Sequence, residues 1–172
     1  GYDLHTWLPA LAGEIIGSAE QTDQFLFDWR ITLNDLFAEN YDRISTIAMQ
    51  EYGMKGRYTE SHENGKVFPG DGATLKRSAQ IPMSAMWVNA PWISYDQDET
   101  GHWRRSMYKA DDKESSSVAH IYGQNIAACE SMTSAANNYA NYPGKLKETA
   151  DDELASGINR FIIHESAHQP SD

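Results

Sequence analysis

The sequence has a single cysteine and no long apolar run, and each scarcity excludes a class of protein. Cys129 has no second thiol in the chain to pair with, so an internal disulfide cannot stabilise the fold. No stretch reaches the roughly 18 apolar residues that a membrane-spanning helix needs. No unit recurs at the period of about 20–50 residues that marks repeat proteins. These absences predict a globular chain that is stabilised by its own hydrophobic core.

Positive charge is scarce as well. The chain carries 14 lysine and arginine residues against 25 aspartate and glutamate residues, and its net charge is −11 at pH 7. Nucleic-acid phosphates and anionic lipids repel an acidic surface, so we expect neither a nucleic acid nor a membrane as a partner. With 172 residues, of which 40% are hydrophobic, the chain suits a single folded domain.

The spacing of apolar residues predicts alternating helices and strands. Residues 26–48 show three- and four-residue spacing, which predicts a long amphipathic helix that ends near Gly53. Ser18 and Gln21 resemble a capping box, so we expect Ser18 to cap the start of this helix. A shorter helix before it should close near Gly17. Strands are predicted at residues 54–60, 80–88, 126–130 and 158–164, and further helices at residues 115–122 and 146–156. This alternation favours an α/β fold with parallel strands, although Pro82 weakens the second strand.

Each predicted strand ends in a polar or aromatic side chain. These residues are Glu60, Trp87, Glu130 and His164. Glu130 follows a short apolar run and has two interpretations, as a buried structural acceptor or as a catalytic carboxylate. In a parallel barrel the loops after the strands build the active site, so the convergence of strand ends favours the catalytic interpretation.

Two metal motifs match only in part. Residues 164–168 have the H-E-x-x-H pattern of zinc proteases, which needs both histidines on one face of a helix. A strand-like run precedes this motif and Pro170 follows it closely, so a zinc protease is disfavoured. Residues 96–101, inside a polar insertion at 89–114, resemble the first half of an EF-hand loop, but Met107 takes the place of its bidentate glutamate.

Several short blocks along the chain carry a family resemblance. The most specific are Ala119-His-Ile-Tyr-Gly and Ile158-Asn-Arg-Phe with His168-Gln-Pro. Further blocks are Gly1-Tyr-Asp-Leu, Trp7-Leu-Pro, Gly17-Ser-Ala-Glu, Ala38-Glu-Asn-Tyr, the Glu60/Glu63 loop, Ile81-Pro-Met with Trp87, Glu130-Ser and Leu146-Lys. Over essentially its whole length the chain resembles glycoside hydrolase family 106, the α-L-rhamnosidases. The resemblance also accounts for the zinc-like motif, because that family carries His-x-x-x-His-Gln-Pro at a barrel strand end.

The resemblance implies an α/β fold of the (β/α)8 TIM-barrel type that hydrolyses terminal α-L-rhamnosides with inversion. It also implies a calcium ion near the sugar. On this chain Glu130 matches the general base of the family. Glu60 or Glu63 matches a further catalytic-site glutamate and is a candidate calcium ligand. An inverting enzyme needs one carboxyl as acid and one as base, roughly 6.5–9.5 Å apart.

Three other side chains are candidate substrate ligands. Trp87 can stack on a sugar ring or simply pack in the core. Asp71 lies in a Gly-Asp-Gly turn and can bind sugar hydroxyls or only shape the turn. His164 ends the last predicted strand. We expect all three to contact a rhamnose-containing glycoside.

The resemblance further implies that residues 1–172 are part of a single catalytic barrel domain and supply about the second half of its strands. The general acid would then lie on a segment before Gly1, and the N-terminal half of the barrel would come from the same longer chain. We expect this chain to be inactive alone, because an open half-barrel leaves strand edges unpaired. The alternatives are a non-catalytic carbohydrate-binding fragment and, less favoured, a zinc metalloprotease.

Overall fold

The computed structural model describes residues 1–60, 70–88, 96–97, 103–104, 106–134 and 141–164. The α-helices are α1 (Leu4–Trp7), α2 (Ala19–Leu36), α3 (Ile44–Glu51), α4 (Gly72–Lys76), α5 (Ser106–Ile121) and α6 (Pro143–Ser156). A 3-10 helix spans Leu8–Ala12, and a π-helical segment spans Phe37–Arg43. The strands are β1 (Tyr58–Glu60), β2 (Ile81–Val88), β3 (Asp96–Gln97), β4 (Trp103–Arg104), β5 (Ala128–Ser134) and β6 (Arg160–Ile163).

Four of these strands form one parallel sheet in the order β1-β2-β5-β6. The strands β3 and β4 form a separate antiparallel pair. In the chain, α4 connects β1 to β2, α5 lies between β2 and β5, and α6 connects β5 to β6. Parallel neighbours need crossovers of this kind, since a tight turn can join only antiparallel strands. The prediction of an α/β fold with parallel strands is confirmed.

Pro82 is tolerated in β2 because of its place in the ladder. The N–H of Ile81 donates to the carbonyl oxygen of Arg57 at 3.0 Å, on the side of β1. Successive residues of a strand direct their backbone groups to opposite neighbours, so the nitrogen of Pro82 faces the side of β5. Pairing with β5 begins only at Met83, opposite Ala128. The proline therefore precedes the first paired residues on that side.

The predicted long helix is present, with one irregularity. Helix α2, the π-helical segment and α3 are continuous. The hydroxyl of Ser18 accepts a hydrogen bond from the N–H of Gln21 at 3.2 Å, which confirms the predicted cap. Gly53 follows the last turn with a φ of +74°, which suits glycine. The sequence pattern did not predict the π-helical turn, and the preceding short helix ends at Gly13 and not near Gly17.

Further predicted boundaries are wrong, and β1 begins only at Tyr58. Strand β5 continues to Ser134, so Glu130 lies inside the strand and not at its exit. Helix α5 begins at Ser106, so the second part of the predicted polar insertion is helical. Apolar periodicity missed this part of the helix because the face that it buries is polar and includes Asp111 and Asp112.

The sheet buries apolar side chains on both faces. The face covered by α5 and α6 packs a cluster that includes Met86, Tyr108, Ala119, Ala127, Cys129 and Ile158. The opposite face, called the inner face below, packs Ile81, Met83 and Ala128 against Ile126 and Ile162. Burial on both faces explains why β2 is almost continuously apolar in sequence.

Charged side chains are also buried under α5. The ammonium group of Lys76 forms an ion pair with Asp111 and lies 2.9 Å from Glu114 Oε1 and 2.8 Å from Ser115 Oγ. Asp111 Oδ2 in turn accepts the backbone N–H of Ala85 at 3.0 Å. That N–H belongs to β2, beyond the last residue paired with β1. The lysine thus offsets part of the cost of burying Asp111, and the partly exposed Glu114 adds a second negative charge beside the lysine.

Asp112 and Cys129 lie in the same interface and are fully buried. Burial raises the pKa of Asp112 to about 6, although Ser84 Oγ donates a hydrogen bond to its carboxylate at 2.6 Å and opposes the shift. Burial also raises the pKa of the Cys129 thiol, and the nearby charges of Asp112 and Glu153 add to this effect. The thiol is therefore protonated and unreactive in the folded protein.

Replacing Asp112 with asparagine should remove one component of the pH dependence of stability. The folded state, with the raised pKa, binds more protons than the unfolded state between about pH 4 and pH 6. The free energy of unfolding therefore falls as pH rises through this window. Relative to wild type, the free energy of unfolding of Asp112→Asn should therefore rise across this window by up to about 3 kcal/mol. The difference in Tm between variant and wild type should rise with it. Calorimetry of the variant and the wild-type protein at several pH values measures this difference.

Asp151→Asn provides the matched control, because Asp151 is an exposed carboxylate on α6 that pairs with Lys147. The trend for Asp112→Asn should exceed that for Asp151→Asn between pH 4 and pH 6. A flat difference for Asp112→Asn, or equal trends in the two variants, would contradict the assignment.

Candidate functional site

The inner face carries polar side chains on β2 and β5, close to the residue that follows β6. In the sheet register Glu130 lies between Ala85 on β2 and Ile162 on β6. Side chains of residues paired across parallel strands lie on the same face, and alternate residues return to that face. Trp87 lies two residues beyond Ala85, and His164 two beyond Ile162. Three of the predicted site residues are therefore neighbours at one edge of the inner face.

Among the described residues, the hydrogen-bond partners of the Glu130 carboxylate all bind one of its two oxygens. The indole N–H of Trp87 donates to Glu130 Oε1 at 2.7 Å, and the hydroxyl of Thr133 lies 3.1 Å from the same oxygen. The Thr133 hydroxyl also lies 2.9 Å from the backbone carbonyl oxygen of His164. Within the part of the chain that the structure describes, Glu130 Oε2 has no hydrogen-bond partner. One oxygen is thus anchored and the other is available for a proton or a substrate.

A β-bulge in β5 shapes this cluster. Ser131 pairs with Met86, but the next residue of β2, Trp87, pairs with Thr133, so Met132 is an extra residue in the ladder. Met132 has a φ of +64° and, among the described residues, is the non-glycine residue with a positive φ. Bulges of this kind re-aim the side chains that follow them. Here the bulge turns Thr133 towards Glu130.

The structure describes one of the two glutamates predicted as calcium ligands. Glu60 is half-buried at the end of β1 and pairs with Met83, whose side chain lies on the inner face. Glu63 lies outside the described residues. Within the described ranges no group of three or more histidine, cysteine, aspartate or glutamate side chains could hold a metal ion. Calcium therefore stays a prediction, with Glu60 on the same face as Glu130.

Asp71 has a structural role in addition to any contact with substrate. Its Oδ2 accepts the backbone N–H of Thr74 at 2.9 Å and so caps the first turn of α4. Its own N–H donates to Asn34 Oδ1 at 2.6 Å, which ties the start of α4 to the long helix. A substrate role for Asp71 stays a prediction.

A polar contact at the opposite edge of the inner face links the two outer strands. Arg160, the first residue of β6, donates from Nη1 to the hydroxyl of Tyr58, the first residue of β1, at 2.9 Å. Three strand spacings of about 4.8 Å would separate these strands in a flat sheet. A hydrogen bond across that span favours a sheet that curls towards its inner face. The sequence contained no pattern that pointed to this pair.

The zinc motif receives no support from its first residue. His164 directly follows β6 and is not helical, whereas the zinc chemistry needs a helix from the first histidine onwards. Residues 165–172, which hold the rest of the motif, lie outside the described ranges. None of the described helices has the length and hydropathy that a membrane span needs.

Carbohydrate-hydrolysing enzymes use aspartate and glutamate carboxylates for their chemistry, and Glu130 supplies one on the inner face. The chain belongs to glycoside hydrolase family 106, described as alpha-L-rhamnosidase, whose family model matches residues 1–172. The family resemblance inferred from the sequence blocks is confirmed.

Two known proteins show how far the similarity extends. The chain is 39% identical to a rhamnosidase from Novosphingobium sp. PP1Y of known structure, with a TM-score of 0.79 over 100% of this chain and 15% of that one. It is 32% identical, over all of its 172 residues, to a protein of Formosa agariphila provisionally named a beta-glucuronidase. This chain spans 13% of the length of that second protein. The parallel α/β fold is therefore similar to that of a rhamnosidase.

Proposed function

We propose that this chain carries the general base of an inverting α-L-rhamnosidase, and that the base is Glu130. The supporting observation is the asymmetric hydrogen bonding of its carboxylate, in which Trp87 holds Oε1 at 2.7 Å. A general base needs a fixed orientation and one free lone pair within reach of a water molecule. Oε2, which has no partner among the described residues, provides that lone pair.

The proposed reaction follows the physics of inverting glycosidases. Glu130 Oε2 takes a proton from water while the water oxygen attacks the anomeric carbon of the rhamnosyl group. A second carboxyl group, on the opposite face of the sugar, donates a proton to the leaving oxygen. We place that acid on a segment that precedes Gly1 in a longer chain. Trp87, His164 and Asp71 are the proposed sugar contacts.

We also propose that the four-stranded sheet is part of a (β/α)8 barrel completed by the rest of a longer protein. Three observations support this. The strand order follows the chain order without reversal, as in a barrel. The bond between Arg160 and Tyr58 favours a curled sheet. On the edge strand β6, Ile163 is 60% exposed, which leaves apolar surface for a neighbouring element. An isolated chain would then lack hydrolase activity.

Replacing Glu130 with glutamine tests the general base. Glutamine keeps the shape of the side chain and an acceptor for Trp87, but it cannot take a proton. We expect kcat of the intact protein on an aryl α-L-rhamnoside to fall by about 10²–10⁴-fold, with little change in KM. Glu148→Gln, an exposed change on α6, is the control and should leave both constants unchanged.

Two further measurements separate the parts of this proposal. Proton NMR of the first product should show the β-anomer of rhamnose if the reaction inverts. An aryl β-glucuronide should be tried beside the rhamnoside, because one relative carries that name. Turnover of the glucuronide alone would overturn the substrate and retain the hydrolase. Binding of rhamnose by the intact wild-type protein without turnover of either compound would favour a non-catalytic carbohydrate-binding role.

Replacing Trp87 with phenylalanine tests which part of the indole matters. Phenylalanine keeps an aromatic face for a sugar but removes the N–H that donates to Glu130. We expect kcat to fall about tenfold and KM to stay within about twofold of wild type, since the base loses one orienting bond. A rise in KM with unchanged kcat would instead assign Trp87 to sugar stacking alone.

We propose Glu60 and Glu63 as calcium ligands, because carboxylate oxygens are the donors that calcium prefers. A bound calcium ion would supply a positive charge that orients sugar hydroxyls. Titration calorimetry of the chelator-treated intact protein should show calcium binding that Glu60→Gln weakens at least about tenfold. Glu51→Gln, an exposed change at the end of α3, is the control. Equal affinity in wild type and Glu60→Gln would remove Glu60 from the site.

A further inference from the structure

Glu130 and Thr133 share the inner face only because of the bulge between them. In a regular strand, residues three apart lie on opposite faces, since side chains alternate with a period of two. The extra residue, Met132, brings Thr133 back to the same face as Glu130. The Thr133 hydroxyl then lies 3.1 Å from Glu130 Oε1. Met132 adopts a φ of +64°, a left-handed conformation that is unfavourable for methionine. The strand therefore accepts local strain to bring this hydroxyl to the carboxylate.

The Thr133 hydroxyl has two acceptors and one proton. Glu130 Oε1 and the carbonyl oxygen of His164 both lie within hydrogen-bonding distance of its oxygen. A hydroxyl donates one hydrogen at a time, and a bond to a charged carboxylate is stronger than one to a neutral carbonyl. The proton is therefore directed to Glu130 while that carboxylate is ionised. It can turn to His164 when the carboxyl has gained a proton.

We propose that Thr133 is a positioning residue for Glu130, delivered to the inner face by the bulge at Met132. The proposal rests on the proposed role of Glu130 as general base. Thr133 is buried, at 7% exposure, and it touches Glu130 through the oxygen that Trp87 also binds. Its hydroxyl orients the carboxylate through Oε1, while Oε2, which has no partner among the described residues, faces the water to be activated. A purely structural alternative is that Thr133 only ties β5 to the residue after β6.

Replacing Thr133 with valine and with serine separates the two roles. Valine keeps the size and branching of the side chain but has no hydroxyl, whereas serine keeps the hydroxyl. For the intact protein on an aryl α-L-rhamnoside, we expect Thr133→Val to lower kcat by about 10- to 100-fold with KM within about twofold. Thr133→Ser should recover kcat to within about threefold of wild type. A Thr133→Val protein with lower Tm and unchanged kcat would show a structural role and overturn the proposal.

The double variant links the effect to Glu130. If Thr133 acts through this carboxylate, adding Thr133→Val to Glu130→Gln should cause no further loss of kcat. Additive losses would show that Thr133 acts elsewhere and would overturn the proposal. If Glu130→Gln keeps wild-type turnover, the proposed general base is wrong. If Glu130→Gln is inactive but Thr133→Val is fully active, only the positioning role is wrong.

A variant of Met132 tests whether the bulge acts through its backbone. Glycine adopts positive φ without strain, so Met132→Gly should keep the bulge and retain kcat within about twofold of wild type. A loss as large as that of Thr133→Val would assign the effect to the Met132 side chain and overturn the role of the bulge.

Discussion

The hydrogen bond between Trp87 and Glu130 is the constraint on which the site depends. An indole can only donate and an ionised carboxylate can only accept, so the two groups hold each other in one arrangement. Their bond joins β2 to β5 and requires both side chains to lie on the inner face. The register of these two strands, and the helices that press on the opposite face, therefore determine where the carboxylate points.

The other face of the sheet maintains that register with polar contacts as well as apolar packing. Ser84 on β2 bonds to Asp112 on α5, and Ser131 on β5 bonds to Glu153 on α6 at 2.6 Å. These bonds are directional, so they select one placement of each helix, whereas an apolar surface would tolerate sliding. The bond between Ser131 and Glu153, on the face covered by the helices, thus supports the geometry of Glu130 on the inner face.

The sequence predicted the features that depend on local patterns. The parallel α/β fold and the cap at Ser18 followed from periodicity and from capping residues, whereas the strand-end argument misplaced Glu130, which lies inside β5. The beginning of α5 was missed because its buried face is polar and its burial depends on Lys76, which is distant in sequence. Thr133 was missed because the predicted strand ended at residue 130, and even in a longer strand a spacing of three predicts opposite faces. Only the pairing of β5 with β2 shows that Met132 is an extra residue.

Cys129 has a practical consequence for experiments on this fold. Its thiol is the one cysteine of the chain, lies between β5 and the two covering helices, and is kept protonated by its surroundings. A thiol reagent can modify it only when these helices separate from the sheet. The rate of modification therefore reports opening of this interface from a native side chain. Because Cys129 is buried, a cysteine introduced on the surface of this chain can be labelled selectively in the folded protein.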